Sequence, residues 1–179
     1  MSQPLGTRQA ALARVVRLSR DLALRFVAGF DASNSTRQAP GLPNHFAWNL
    51  GHLALTMHRA IERIDGVPPP EADFVTGTGR SGDAERFDTE SVCFGSVPVD
   101  DARLYPSPPR ARAIFEHAAE RLAARVERAS DADLDRLVPW GASQTPWSDL
   151  VARMAFHNGV HTGQIMDLRR ALGMKGVLG

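Results

Sequence analysis

Cysteine is almost missing from this chain. It occurs once, at Cys93, so no internal disulfide can form and a stapled scaffold is excluded. The lone thiol reads as an inert side chain. An excess of one charge is missing too: Lys plus Arg number 21, Asp plus Glu 20, and the formal charge is +1. Proteins that track nucleic-acid phosphates carry a basic excess and a basic patch, so nucleic acid is not an expected partner. No run approaches the roughly 20 apolar residues of a membrane span. The opening "MSQPLGTRQA" is polar and lacks the charged and apolar regions of a secretory signal. A membrane is therefore not an expected partner, and the cytoplasm is the expected compartment. Internal repeats and low-complexity tracts are absent, and strand signals are few. "SVCFGSVPV" is a candidate short extended piece, and nothing in the pattern points to a sheet.

What is present is ordinary globular material. The 179 residues, 43% hydrophobic and 23% charged, suit one domain over positions 1–179. Four long stretches carry helical periodicity. The first runs from about Arg8 to Phe30, with Leu12, Val15, Val16, Leu22, Ala23, Phe26, Val27 and Phe30 as its stripe. "NSTRQAPGLPN" then breaks the pattern. The second runs from about Asn44, an N-cap candidate, to Ile64. Its stripe is Phe46, Leu50, Leu53, Met57 and Ile64. The third runs from about Pro108 to Ala129, with Ala111, Ile114, Ala118, Leu122, Val126 and Ala129 on one face. The fourth runs from about Pro146 to Leu172, with Thr145 as a cap, Pro146 in the first turn and Gly173 as the stop. Residues 66–107 between the second and third helices show no sustained period. "SDADLDRLVPWGASQ" accommodates one short helical turn. Four helices with one long crossover predict an all-α fold, a four-helix bundle with an insertion over residues 66–107.

Histidines interrupt this pattern. At 100° per residue, Leu150, Met154, His157, His161 and Leu168 share a narrow arc of the fourth helix. Two imidazoles therefore replace core residues. Buried imidazoles need partners, since an unpaired buried polar group costs about 1–3 kcal/mol. A pair four residues apart also converges two ring nitrogens on one cation. The alternative is one satisfied core histidine beside one pocket-lining histidine. The zincin motif is excluded, because Asn158 stands where that motif requires Glu. A third ligand must come from elsewhere, and the second helix offers His45, His52 and His58. His45, Asn49, His52 and Thr56 share an arc outside the main apolar stripe, which makes His52 a rim residue by pattern. His58 and His117 read as surface residues.

"AWNLGHLAL" on the second helix, followed far downstream by "HNGVHTGQI" on the last, resembles the DinB/YfiT-like metalloenzyme superfamily. That resemblance implies a four-helix bundle in which one histidine of helix two and an HxxxH pair of the last helix bind a divalent metal. Matched motif to motif, the ligands are His52, His157 and His161. The Trp48 to His52 spacing, the Gly51-His52 pair and the Gly163-Gln164-Ile165 tail carry the match. Two positions depart from the pattern: Asn49 stands where close variants often have histidine, and Asn158 where an acidic residue is frequent. The resemblance covers helices two and four, and leaves residues 66–107 unmatched.

Three neutral imidazoles leave a metal its full charge and open positions, the arrangement of catalytic rather than structural sites. Such a site activates water or a thiol at neutral pH. Imidazole suits zinc, nickel, iron and copper alike, and the expected cofactor is one divalent ion of zinc, nickel or iron. Gln164 and Asn49 are candidates to accept the ligands' second N–H, Trp48 to form a pocket wall, and His45 to line the pocket. Arg59 and Arg63 continue the polar strip beyond His52 and offer either an anion contact or a solvated face. The resemblance implies a metal-dependent enzyme, S-transferase-like or hydrolase-like, acting on a small-molecule substrate that includes low-molecular-weight thiols. No carboxylate stands at motif spacing to act as general base, which tilts the reading toward thiol chemistry. The alternatives are a non-catalytic metal- or ligand-binding bundle, with Asp88, Glu90 or Cys93 closing the site, and a metal-free interaction protein. A homodimer is compatible with all three.

Overall fold

A computed structural model describes residues 8–77 and 80–177. The chain is mostly helical. Its long helices are α1 (Arg8–Phe26), α2 (Phe46–Asp65), α4 (Pro108–Glu127) and α6 (Trp147–Ala171). Short helices α3 (Thr89–Val92) and α5 (Asp131–Asp135) lie between them, with a 3-10 turn at Ala102–Leu104. α1 and α2 each pack against both α4 and α6. Among the described residues, no helix is long and apolar enough to cross a membrane.

Two small sheets correct the expectation of none. β1 (Phe74–Val75) pairs in parallel with β2 (Phe87–Asp88), and β3 (Leu137–Trp140) pairs antiparallel with β4 (Ser143–Pro146). Each strand is too short to show a readable period of two. The hairpin turns at Gly141, whose φ of 62° favours a residue without Cβ. "SVCFGSVPV" is not an extended piece, because Ser91 and Val92 close helix α3.

Helix ends also moved. α1 stops at Phe26, four residues early, and Val27 and Phe30 reach the core from the turn that follows. Val15 and Leu22 are exposed although they fit the stripe. The cap of α2 is His45, not Asn44: its Nδ1 accepts from the Trp48 N–H at 3.1 Å. The helix ends at Gly66, in the left-handed conformation with φ 73°. α4 ends at Glu127, and Arg128 caps it. Pro146 occupies the N-cap of α6 and Trp147 the first turn, so Thr145 is not the cap.

α2 lies at the centre of the molecule. Its apolar stripe faces α4 and α6, while α3 and β3 cover much of the remainder. His52, a rim residue by pattern, is consequently buried. Close approach occurs at Gly51: a Cβ there would stand 2.7 Å from the Phe87 ring and 2.8 Å from Val92 Cγ1. Only a glycine lets residues 66–107 lie this tightly on the helix.

Candidate metal centre

α2 contributes His52, and α6 contributes His157 and His161 one turn apart. One ring nitrogen from each lies within 4.8 Å of the others. His157 Nε2 and His161 Nε2 are 3.1 Å apart. The ring centroids of His52 stand 5.1 Å from His157 and 4.9 Å from His161.

Hydrogen bonds decide which nitrogens face inward. His52 Nδ1–H donates to the Val92 carbonyl at 2.8 Å, which leaves its Nε2 an unprotonated lone pair. His161 Nδ1–H donates to Asn49 Oδ1 at 2.7 Å. Asn49 is itself oriented, because its Nδ2 donates to the carbonyls of Asn44 at 2.9 Å and His45 at 3.0 Å. His161 Nε2 is therefore a lone pair as well. Such anchoring of the outer nitrogen is what orients histidine ligands.

Burial keeps the group neutral. It lowers His52, with Arg59 adding to the effect and the Val92 bond opposing it. It takes His157 down to about 4, helped by His52. It takes His161 down to about 3, helped by its two partners and opposed weakly by Gln164. Neutral imidazoles with one ring nitrogen each this close together are a donor set for a borderline divalent cation. Among the described residues, no carboxylate or thiol joins the three within the same radius. Asp88 Oδ2 is turned to the Ser81 N–H at 2.7 Å. Cys93 points its thiol at Glu90, and burial followed by the Glu90 charge pushes that thiol up. Its protonated form is a poor nucleophile and a poor ligand.

The other sequence-nominated residues have distinct places. Trp48 stacks on His52, centroids 4.6 Å apart, and its Nε1–H donates to Ser96 Oγ at 2.9 Å. Gln164 Oε1 accepts from Asn44 Nδ2 at 3.0 Å. His45 caps α2 and sends its Nε2–H to the Val99 carbonyl at 3.2 Å. Asn158 is buried and donates to Ser19 Oγ at 2.9 Å.

A cleft of about 650 Å³ opens beside the histidines, with His52 and His157 in its wall. Leu55, Met154, Phe94 and Phe156 provide apolar surface, and Arg59, Arg63 and Arg153 provide charge. A family model described as the DinB superfamily matches residues 16–165. The chain belongs to the DinB superfamily. No curated protein matches it. For this DinB member the match spans both halves of the histidine group, from α2 to α6.

A second polar cluster escaped the sequence reading. His58, expected at the surface, is fully buried, and with Asp73 and His117 it forms another group of close donor atoms. His117 Nδ1 lies 2.5 Å from Asp73 Oδ2. Arg110 donates to Asp73 Oδ1 at 3.1 Å, and Arg121 to His58 Nδ1 at 3.0 Å. His58 Nε2 stays 3.6 Å from Asp73 Oδ2, beyond hydrogen-bond length. Two guanidinium groups already supply the positive charge that a metal would bring. This cluster is a polar clamp holding Asp73, and with it β1, against α2 and α4. Nothing local in the sequence marks it, since Asp73 lies in the segment without periodicity.

Proposed function

We propose that this DinB-superfamily protein is a metal-dependent enzyme acting on a small molecule in the cleft, with His52, His157 and His161 as the metal ligands. The frame we assign to it is a four-helix bundle in which residues 66–107 are an insertion. The observation that carries the reading is the pair of locked tautomers: Val92 and Asn49 turn the Nε2 lone pairs of His52 and His161 toward His157. Held there, a divalent metal supplies Lewis acidity toward a thiol sulfur or a water oxygen.

The chain's own residues divide the remaining work. Asn49 and the Val92 carbonyl hold protons on the outer nitrogens, so the inner ones stay free to ligate. Trp48 buttresses His52 by stacking. Thiol transfer is favoured over hydrolysis, because among the described residues no carboxylate lines the cleft to accept a proton from water. A thiol needs only a lowered pKa to become nucleophilic. The absence of a fourth protein ligand among the described residues favours an enzyme over a closed binding module.

The deciding measurement is elemental analysis of untagged wild type and His161→Ala. About one first-row metal per chain, lost in the variant, is the expected result. A wild type that takes up none of zinc, nickel, iron or manganese sinks the reading. With metal present, transfer of a small thiol onto an electrophile is expected in a substrate panel. Loaded protein that moves no thiol and cleaves no ester or amide removes the enzymatic part.

A further inference from the structure

Among the described residues, the cleft beside the histidines is lined by three arginines and no acidic side chain. Arg59 and Arg63 lie on the face of α2 that carries His52 and Thr56, at successive turns. Arg153 lies on α6 one turn before His157. None of the three forms an ion pair or side-chain hydrogen bond among the described residues. Arg17, Arg20, Arg110 and Arg125 are all engaged with carboxylates. Arg59 is only half-exposed, and its charge is felt at both His52 and Cys93. A guanidinium set into a cleft wall without a counter-ion is a ready oxyanion contact, and neighbouring guanidinium groups sharpen it through paired N–H donors.

Chain geometry gives the spacing. Arg59 follows His52 by seven residues and Arg153 precedes His157 by four, which is about 10 Å and about 6 Å of helix rise. The same lining carries apolar surface, with Phe94 at 92% and Phe156 at 74% exposure, and Trp140 among the lining residues. Exposed aromatics around a cleft signal an apolar ligand surface. We propose that the cleft takes a small organic oxyanion, a carboxylate or a phosphate ester, with an apolar body. Its anionic end sits on Arg59 and Arg153, with Arg63 at the outer end, and the body places the reacting atom at the histidines. This inference rests on the cleft being the substrate site proposed above.

The test is a titration of the full chain with three probes of one shape: 2-naphthoate, 2-naphthyl phosphate and neutral 2-naphthalenemethanol. The indole N–H signals, including that of Trp140, report binding by NMR, in zinc-treated and metal-free protein. Both anions, or one of them, should bind at least about tenfold tighter than the alcohol, and more tightly at low salt. Preference between carboxylate and phosphate identifies the source of the oxyanion. Arg59→Gln with Arg153→Gln should cost the anions about tenfold or more and leave the alcohol and the metal content unchanged. Arg153→Gln alone, at an exposed position, serves if the double variant does not fold. Equal binding of all three probes, or full anion affinity in the arginine variants, overturns the proposal. The two readings fail separately. Wild type that takes up no metal but still binds anions through the arginines removes only the metal reading. Metal-bearing protein without anion preference removes only this one.

Discussion

Asn49 carries an unusual share of the histidine group's organisation. Its carboxamide donates twice to the backbone just ahead of α2, at Asn44 and the His45 cap, and accepts once from His161, so the amide can point only one way. Removing it leaves His161 Nδ1–H without an acceptor and frees the ring to rotate or change tautomer. Asn49→Ala should weaken zinc binding about 10–100-fold and destabilise the fold by about 1–3 kcal/mol. Competition against a chromophoric chelator and urea unfolding measure the two effects. Unchanged zinc affinity would show that Asn49 is ordinary packing. Sequence spacing brought Asn49 and Gln164 forward as equal candidates for this role. It could not separate them, because each lies on the correct face of its own helix. The crossing of α2 and α6 puts Asn49 on the ring and turns Gln164 to Asn44.

At the scale of elements, α2 and the segment laid over it act as one unit. Gly51 makes the contact possible, and its neighbour His52 spends its outer N–H on Val92 of the overlying segment. Alanine is the better helix former by about 1 kcal/mol, so helix propensity alone predicts that Gly51→Ala stabilises. The clash with Phe87 and Val92 opposes this, and overpacking of that kind costs about 1–3 kcal/mol. We expect the clash to win. Thermal melting should show a lower Tm, and zinc affinity should fall as well, because a displaced Val92 no longer holds the His52 tautomer. A Tm at or above wild type would mean that the segment shifts without cost and that His52 is anchored otherwise. The helical pattern alone pointed the other way for His52. Periodicity registers the neighbours that a helix has along one stripe, and says nothing of a non-periodic segment arriving from residues 66–107.

For the whole molecule, acid is the revealing variable. The fold buries uncharged histidines outside the proposed metal group. Burial takes His45 down to about 4, against smaller raising effects of the Val99 carbonyl and Asp100. Burial also lowers His58, with the nearby Asp73 carboxylate opposing and the Arg121 charge assisting. An unfolded histidine titrates near about 6.5. Between that value and the folded one, only the unfolded chain holds the proton, so stability is complete above about 6.5 and declines as pH falls toward 4. For His45 the loss amounts to about 3 kcal/mol. Urea unfolding of metal-free protein at neutral and mildly acid pH should show this decline. His45→Asn, which keeps a capping side chain, should lose about 2–3 kcal/mol less over the same interval. An equal loss in the variant would place the acid sensitivity at other groups.

Much of this molecule was already written in one dimension. The four long helices follow from a local period of 3.6 residues and from the Pro and Gly that interrupt it, which are properties of neighbours along the chain. The order of "AWNLGHLAL" and "HNGVHTGQI" likewise pointed to the DinB superfamily before any coordinates. Three matters lay beyond its reach: the burial of His52 and His58, the small sheets, and the nitrogen on which each proton rests. Each depends on partners far apart in sequence. Val92 is 40 residues from His52, Asn49 is 112 from His161, and Arg121 is 63 from His58. A histidine's type and spacing are local facts. Its tautomer and charge are set by whatever the folded chain brings against its ring.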